Sequence, residues 1–80
     1  MSTVFNLYSS DGCHLCELAM AICQPFMINH QFNIIDIVED EALVERYGVH
    51  IPVLERVDEH NNNKELYWPF NADQVCSLLK

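Results

Sequence analysis

The amino-acid sequence predicts an α/β domain in which a four-stranded mixed sheet carries helices on both faces. Segments rich in β-branched and aromatic residues alternate with segments of helical spacing, in the order β-α-β-α-β-β-α. Right-handed crossovers make the first strands parallel, and a polar turn before the fourth strand makes the final hairpin antiparallel. Helices that connect the strands of such a sheet must cover both of its faces.

Length and charge restrict the class of protein further. The 80 residues predict one domain, residues 1–80, and half of them are apolar or aromatic, which is enough for a small core. The formal net charge is −8, and no Lys or Arg precedes Arg46, which argues against nucleic acid and anionic membranes as partners. With neither a secretory signal nor an apolar run of roughly 20 residues, we expect a cytoplasmic monomer.

The first strand and helix are predicted from residues 4–8 and from Cys13 onward. Pro25 lacks an N–H group and disfavours helix at the residue before it, so the helix should end or kink at Gln24. Apolar residues recur at three- and four-residue spacing and predict one buried stripe: Leu15, Leu18, Ala19 and Ile22, widened by Cys16, Met20 and Cys23.

The second strand and helix follow in residues 32–38 and from Asp40. Asp40 is a suitable N-cap, and Gly48 is predicted to end this helix in the left-handed conformation. The side of the helix that faces the core is predicted to carry Leu43, Val44 and Tyr47.

The remaining elements are a hairpin and a last helix. Residues 52–57 and 64–68 predict antiparallel strands joined by the polar turn 58–63. Asn71 and Gln74 have the spacing of a capping box, so a helix should begin there. Its buried side is predicted to be formed by Val75, Leu78 and Leu79.

The segment Cys13-His14-Leu15-Cys16 carries the chemistry that the sequence predicts. It follows the first strand and a polar turn, which places both cysteines at the first turn of a helix. Free backbone N–H groups and the helix dipole favour an anion there, so a cysteine ionises more easily. The spacing brings both sulfur atoms to one side of the helix, within reach of a disulfide. Thiol–disulfide exchange is therefore the leading hypothesis.

Two further motifs give the chain a resemblance to a known family. Tyr8-Ser9-x-x-x-Cys13-x-x-Cys16 after the first strand, together with Ile51-Pro52-Val53-Leu54 at the third, resembles glutaredoxin within the thioredoxin fold. The small glutaredoxin-like proteins are most similar, through residues 13–17, 46–54 and 68–70. The resemblance implies a thioredoxin-like fold and the activity of a thiol–disulfide oxidoreductase. It also implies a cis Ile51–Pro52 bond, with the Ile51 backbone facing an extended substrate.

Position assigns the roles at this expected site. Cys13 precedes the body of the helix and should be the exposed nucleophile, whereas Cys16 would resolve the mixed disulfide. His14 could stabilise the Cys13 thiolate as a cation, but the favoured interpretation is a solvent-exposed histidine at a helix start, where the dipole opposes its protonation. The residues expected to bind substrate are Tyr8, His14, Ile51, Pro52 and Trp68, of which Tyr8 and Trp68 have packing as their alternative role.

Glutathione is expected to be a poor co-substrate, and no resident cofactor is predicted. Glutaredoxins that use glutathione carry two glycines before an acid at the next helix start. Residues 68–73 contain no glycine, although Asp73 stands in the place of the acid, and no basic residue lies near Cys13. Asp11 and Glu17 flank the cysteine pair and oppose thiolate formation. The expected partners are a disulfide-containing protein or small thiol and a dithiol reductase.

Two other classes of protein remain open at this point. One is a non-catalytic binding module that keeps the fold. The other is a zinc or cluster protein that uses Cys13 and Cys16 with His14 or His30, but no second Cys-x-x-Cys follows and no metal is expected. Cys23 and Cys76 lie in amphipathic helical patterns and are predicted to be small buried residues rather than redox partners.

Overall fold

The computed structural model describes residues 3–58 and 63–79. Two short 3₁₀ turns, Gln24–Phe26 and Ile37–Glu39, interrupt the predicted element order, which is otherwise confirmed. No helix in this part of the chain is long and apolar enough to cross a membrane. The elements are β1 (Val4–Ser9), α1 (His14–Cys23), β2 (Gln31–Asp36), α2 (Glu41–Tyr47), β3 (Val53–Val57), β4 (Lys64–Tyr67) and α3 (Ala72–Leu79).

The four strands form one mixed sheet in the order β2-β1-β3-β4. β1 and β2 are parallel and pair Ser9 with Asp36, whereas β3 is antiparallel to β1 and pairs Val53 with Tyr8. β4 completes the sheet antiparallel to β3. As a result, β1 and β2 end where β3 begins, and we call this the cysteine end of the sheet because Cys13 follows β1 there.

One face of the sheet packs against α1 and α3 through apolar side chains. Alternate residues of β1 and β3 point to this face, as the two-residue period of a strand requires. Ala19 and Cys23 of α1 and Val75 of α3 have no exposed surface, so both helices pack closely against the sheet. The buried members of this apolar face are Phe5, Leu7, Ala19, Cys23, Leu54, Phe70, Val75 and Leu78.

The opposite face is covered by α2 and contains a smaller cluster. Tyr8, Tyr47, Ile37 and Val53 are buried in it. The rings of Tyr8 and Tyr47 stack with their centroids 4.4 Å apart, which fixes α2 on the sheet. Helices on both faces were predicted, and this arrangement confirms the layer order.

The end of α2 differs from the prediction. Gly48 has a φ of −51°, so the predicted left-handed conformation is wrong. The chain does not reverse at Gly48, because its N–H group still donates to the Val44 carbonyl at 2.8 Å in the helical pattern. A Cβ atom on residue 48 would meet that same carbonyl oxygen, so close approach rather than backbone handedness favours glycine here.

The ends of β2, β3 and β4 also shift by small amounts. β2 stops at Asp36, whose Oδ1 accepts a hydrogen bond from Val38 N at 3.0 Å and turns the chain into a 3₁₀ turn. β3 begins one residue after Pro52, and β4 ends before Trp68, which precedes Pro69. Residues 59–62 of the predicted polar turn lie outside the described residues.

The helix starts follow the sequence more closely. Asp40 Oδ1 accepts hydrogen bonds from Ala42 N and Leu43 N, which confirms it as the N-cap of α2. Asn71 and Gln74 exchange two backbone-to-side-chain hydrogen bonds of 2.9 Å, which confirms the capping box of α3. α1 ends at Cys23, immediately before the predicted break at Gln24.

Several predicted core positions are exposed instead. Leu15 and Leu18 are 45% and 44% exposed, because the buried stripe of α1 runs through Cys16, Ala19 and Cys23. On α2, Val44 is 44% exposed although it was predicted to face the core. Cys76 was predicted to be buried, but it is an exposed free thiol because Val75 and Leu78 form the buried side of α3.

Candidate functional site

A tight turn between β1 and α1 positions Cys13. The Cys13 N–H group donates to the Ser10 carbonyl at 3.3 Å, which closes a four-residue turn. Gly12, the third residue of this turn, has a φ of +79°, a conformation that side chains disfavour. A Cβ atom there would meet nothing within 4 Å, so the backbone conformation alone favours glycine.

Cys13 is the N-cap residue of α1, so the helix begins at His14, one position later than the start predicted from the sequence. It forms a disulfide with Cys16, across a Cα–Cα distance of 5.2 Å. Its Sγ atom accepts a hydrogen bond from Cys16 N at 3.1 Å, the contact expected of an N-cap side chain. Cys16 is buried whereas Cys13 is half-buried, so an incoming sulfur atom reaches Cys13 more easily.

A groove of about 600 Å³ lies beside the disulfide. The turn after β1 forms one wall, and one side of α1 forms the other. Among its lining residues, only Asp11 and Glu17 carry a charge at neutral pH, and both are exposed. The groove is lined by Ser9, Ser10, Asp11, Gly12, Cys13, Cys16, Glu17, Met20, Ala21 and Gln24.

The Ile51–Pro52 peptide bond is cis, which confirms the prediction. Tyr47 holds the segment that leads to this bond, since its carbonyl accepts hydrogen bonds from His50 N at 2.7 Å and Ile51 N at 3.0 Å. Pro52 is buried and directly precedes Val53, which pairs with Tyr8 in the sheet. Pro52 and the disulfide therefore share the cysteine end of the sheet.

The structure places Tyr8 within the α2 face of the sheet rather than in the groove. Its side chain is buried, and its hydroxyl donates to Glu55 Oε1 at 2.6 Å. Burial, together with the hydrogen bond to Glu55, raises the pKa of Tyr8 to about 12. This position favours the packing role, and the binding of substrate by Tyr8 stays a prediction.

The other predicted binding residues are distributed around this end of the molecule. His14 is exposed, with Nδ1 3.9 Å from Glu17 Oε2. Trp68 packs against the apolar face and contacts Phe70, with ring centroids 5.2 Å apart, in agreement with a packing role. The Trp68–Pro69 bond is also cis, which was not predicted from the sequence. Contact of Ile51, Pro52, His14 and Trp68 with substrate stays a prediction.

A polar network on the α2 face was not predicted from the sequence. Glu55 is 7% exposed, and it also accepts hydrogen bonds from Asn6 Nδ2 at 3.2 Å and Asn63 Nδ2 at 3.4 Å. Beside it, Glu65 accepts from the hydroxyl groups of Tyr47 and Tyr67. The strand alternation that places Glu55 on the same side as Val53 was the available signal.

The free cysteine Cys23 and the possible metal ligand His30 do not line the groove beside the disulfide. Cys23 is buried in the apolar face, and burial raises its pKa to about 11. The His30 ring contacts Phe5 edge to face, with centroids 5.8 Å apart. Within residues 3–58 and 63–79, no group of three or more His, Cys, Asp or Glu side chains is placed to hold a metal ion.

Comparisons with known proteins agree with this geometry. Residues 5–80 match the family model described as Glutaredoxin-like domain (DUF836). A comparison with curated protein sequences finds no significant match. Among solved structures, a structural genomics target protein from X. campestris is 35% identical, with 94% of this chain and 93% of that chain covered and a TM-score of 0.76.

Two further solved structures extend the comparison. A protein from Nitrosomonas europaea is 28% identical, covers 100% of this chain and 94% of its own, and has a TM-score of 0.77. A mutant thioredoxin from Halobacterium salinarum NRC-1 is 21% identical, covers 96% of this chain and 71% of its own, and has a TM-score of 0.78, which shows the fold alone. With its thioredoxin-like fold and a family match over residues 5–80, this chain belongs to the glutaredoxin-like domain family.

Proposed function

We propose that the protein is a thiol–disulfide oxidoreductase of the cytoplasm that works through the Cys13–Cys16 pair. The observation that carries the proposal is the disulfide at the start of α1, with Cys13 accessible and Cys16 buried behind it. The amide hydrogen bond to Cys13 Sγ and the free N–H groups of the helix would stabilise a thiolate at that position.

The proposed reaction is a two-step exchange. The Cys13 thiolate attacks one sulfur atom of a substrate disulfide, forms a mixed disulfide and releases the first substrate thiolate. The Cys16 thiolate then attacks Cys13 Sγ, which closes the Cys13–Cys16 disulfide and releases the second thiolate. The substrate gains two electrons from the pair, and an external dithiol reduces the pair again.

Glutathione is a poor reductant in this proposal, and a dithiol reductase or a protein dithiol takes its place. The segment before Asp73 contains no glycine, and Asp73 is exposed beside a different groove, between β4 and α3. Each charge-assisted hydrogen bond to glutathione that is missing costs about 1.5–3 kcal/mol, or tenfold or more in affinity.

A redox titration and a turnover assay test the proposal. The fraction of Cys13–Cys16 disulfide is measured in glutathione buffers and in dithiol buffers of known potential. Turnover of a mixed disulfide is then followed with each reductant. We expect Cys13→Ser to abolish turnover, whereas Cys76→Ser, which removes an exposed thiol on α3, should leave it unchanged.

Three outcomes would contradict parts of the proposal. Equal turnover with glutathione and with the dithiol system would show that the reductant is wrongly assigned. Full activity of Cys13→Ser would remove the role of Cys13. A pair that titrates reversibly but supports no turnover would identify a non-catalytic binding module.

A further inference from the structure

The groove beside the disulfide has an unbalanced charge. Asp11 lies in the turn that forms one wall, and Glu17 lies on α1 in the other. Neither Lys nor Arg lines the groove, and His14, which is exposed to solvent beside Glu17, is not among its lining residues. A substrate that reaches Cys13 through this groove therefore passes between two carboxylates.

The neighbouring elements increase the negative potential at this end of the molecule. Asp36 pairs with Ser9 across the sheet, so its carboxylate lies at the end where Cys13 is placed. Three further acids come soon after Asp36: Glu39 ends the 3₁₀ turn, and Asp40 and Glu41 lie at the start of α2. No Lys or Arg precedes Arg46 in the sequence. Its Nη2 atom lies 3.5 Å from Glu65 Oε2, so the charge of Arg46 is partly neutralised.

The wall of the groove that α1 forms suits a long aliphatic side chain. Glu17, Met20 and Ala21 follow one another along the side of α1 that lines the groove, with Gln24 one turn further. Lys and Arg side chains place their methylene stems on apolar surface and keep their charged ends in water. Such a side chain could rest its stem on Met20 while its cation lies near Glu17.

We propose that this groove selects disulfides in protein segments that carry Lys or Arg beside the bonded cysteine, with Asp11 and Glu17 as specificity-determining residues. This inference rests on the proposed exchange activity and adds its substrate class. Two carboxylates attract a cationic substrate during encounter and in the mixed disulfide, and they repel an anionic one. Oxidised glutathione is anionic at neutral pH and falls into the disfavoured class.

Three small disulfides of different charge separate the inference from the proposed function. The reduced full-length protein is mixed with cystamine, hydroxyethyl disulfide or dithiodipropionate, which are cationic, neutral and anionic. The rate at which the Cys13–Cys16 disulfide forms is divided by the rate of mercaptoethanol with the same compound, which removes intrinsic differences in reactivity. We expect the order cationic, neutral, anionic, with about a tenfold range at low ionic strength.

Two variants and one salt series identify the groove as the cause. Asp11→Asn with Glu17→Gln should reduce the cationic-to-anionic ratio severalfold, whereas Glu45→Gln, an exposed acid of α2 outside the groove, should preserve it. A change in Cys13 reactivity affects all three compounds alike and cancels in the ratio. Raising the ionic strength from about 0.01 M to about 1 M should bring the ratio close to one, because screening shortens the Debye length from roughly 30 Å to 3 Å.

Peptide disulfides then test the protein origin of the substrate. Two matched peptides are compared, one with Lys and one with Glu on both sides of the bonded cysteine, and the Lys peptide should react faster. No reaction with any disulfide would refute the exchange activity itself. Equal normalised rates, or a ratio that the double variant leaves unchanged, would overturn the inference while exchange stands. A preference for cystamine without a preference for the Lys peptide would overturn the assignment to protein segments.

Discussion

The two faces of the sheet are stabilised by different kinds of interaction. The apolar face, against α1 and α3, contains one continuous cluster that includes Leu7, Leu54 and Val75. The α2 face contains stacked tyrosines and two glutamates, Glu55 and Glu65, whose carboxylates accept hydrogen bonds from side chains. Burial of apolar area, which is a non-directional interaction, stabilises the apolar face. The α2 face depends instead on specific hydrogen-bond donors.

This difference bears on the site at the cysteine end of the sheet. α1 lies on the apolar face, so the position of Cys16 depends on the packing of Ala19 and Cys23 below it. The segment before Pro52 is held from the α2 face, through the Tyr47 carbonyl. Packing therefore positions the cysteines, and hydrogen bonding positions the proline. Substitutions on the two faces should separate these contributions.

The largest effect is expected from the apolar face. Leu7→Ala removes a fully buried side chain in the centre of the sheet and should lower the free energy of unfolding by about 2–5 kcal/mol. Leu15→Ala, at a 45% exposed position of α1, is the matched control and should change it by less than about 1 kcal/mol. Urea unfolding of the oxidised proteins measures both. Equal losses would mean that burial does not distinguish these two leucines.

A smaller loss is expected on the α2 face. Tyr8→Phe keeps the ring stack on Tyr47 but removes a donor to the buried Glu55 carboxylate, which should cost about 1–3 kcal/mol. Tyr67→Phe is the control, because its hydroxyl donates to Glu65 from a 45% exposed side chain and should contribute less. If Tyr8→Phe is as stable as the parent protein, hydrogen bonding does not stabilise this face.

Most of the fold could be predicted from the sequence, but the polar network on the α2 face could not. Hydrophobic periodicity and the caps at Asp40 and Asn71 determine where elements begin, and these signals are local. Glu55 occupies an inward position of β3 where the pattern suggests an apolar residue, and its donors come from β1 and from Asn63. Such a network depends on strand register, which single-residue patterns do not contain.

The candidate site likewise contains features that could be predicted from the sequence and one, the groove, that could not. The cysteine spacing and the proline at the third strand are sequence-local, and the disulfide and the cis bond agree with them. The groove was missed because it combines the turn after β1 with one side of α1, and a pattern within one element does not show such a combination. The i, i+3 and i+7 spacing of Glu17, Met20 and Gln24 gave a signal, but Met20 was assigned to the buried apolar stripe, next to which this groove lies.

Alkaline pH should lower the free energy of unfolding, because each face contains a buried group whose pKa is raised. The pKa of Tyr8 is raised from 10.0 to about 12, so between these values the unfolded chain releases a proton that the folded chain retains. The stabilisation is therefore complete below pH 10 and is lost as the pH rises through 12, at about 1.4 kcal/mol per pH unit for one proton. Cys23, raised from 9.0 to about 11, adds the same trend from the apolar face at slightly lower pH.

Urea unfolding at a series of pH values measures this loss. Tyr8→Phe should show a shallower decline between pH 10 and 12 than the parent protein, and Cys23→Ala should show a shallower decline between pH 9 and 11. Tyr47, whose pKa is also raised by burial and by Glu65, remains in both variants and keeps part of the slope. An identical slope in Tyr8→Phe would show that its hydroxyl does not titrate differently in the folded state.

The smallest effect on stability is expected at Cys76, and it contrasts with Cys23. Cys76→Ser should change the free energy of unfolding by less than about 0.5 kcal/mol, because the thiol is exposed on α3. Alkylation of the oxidised protein at pH 8 should label Cys76 readily. Cys23 should react at least a hundredfold more slowly, since burial blocks access and the raised pKa leaves little thiolate. Comparable labelling of both thiols in the native protein would mean that α1 opens from the sheet often enough to expose Cys23, and the apolar face would then not hold the cysteine pair in a fixed position.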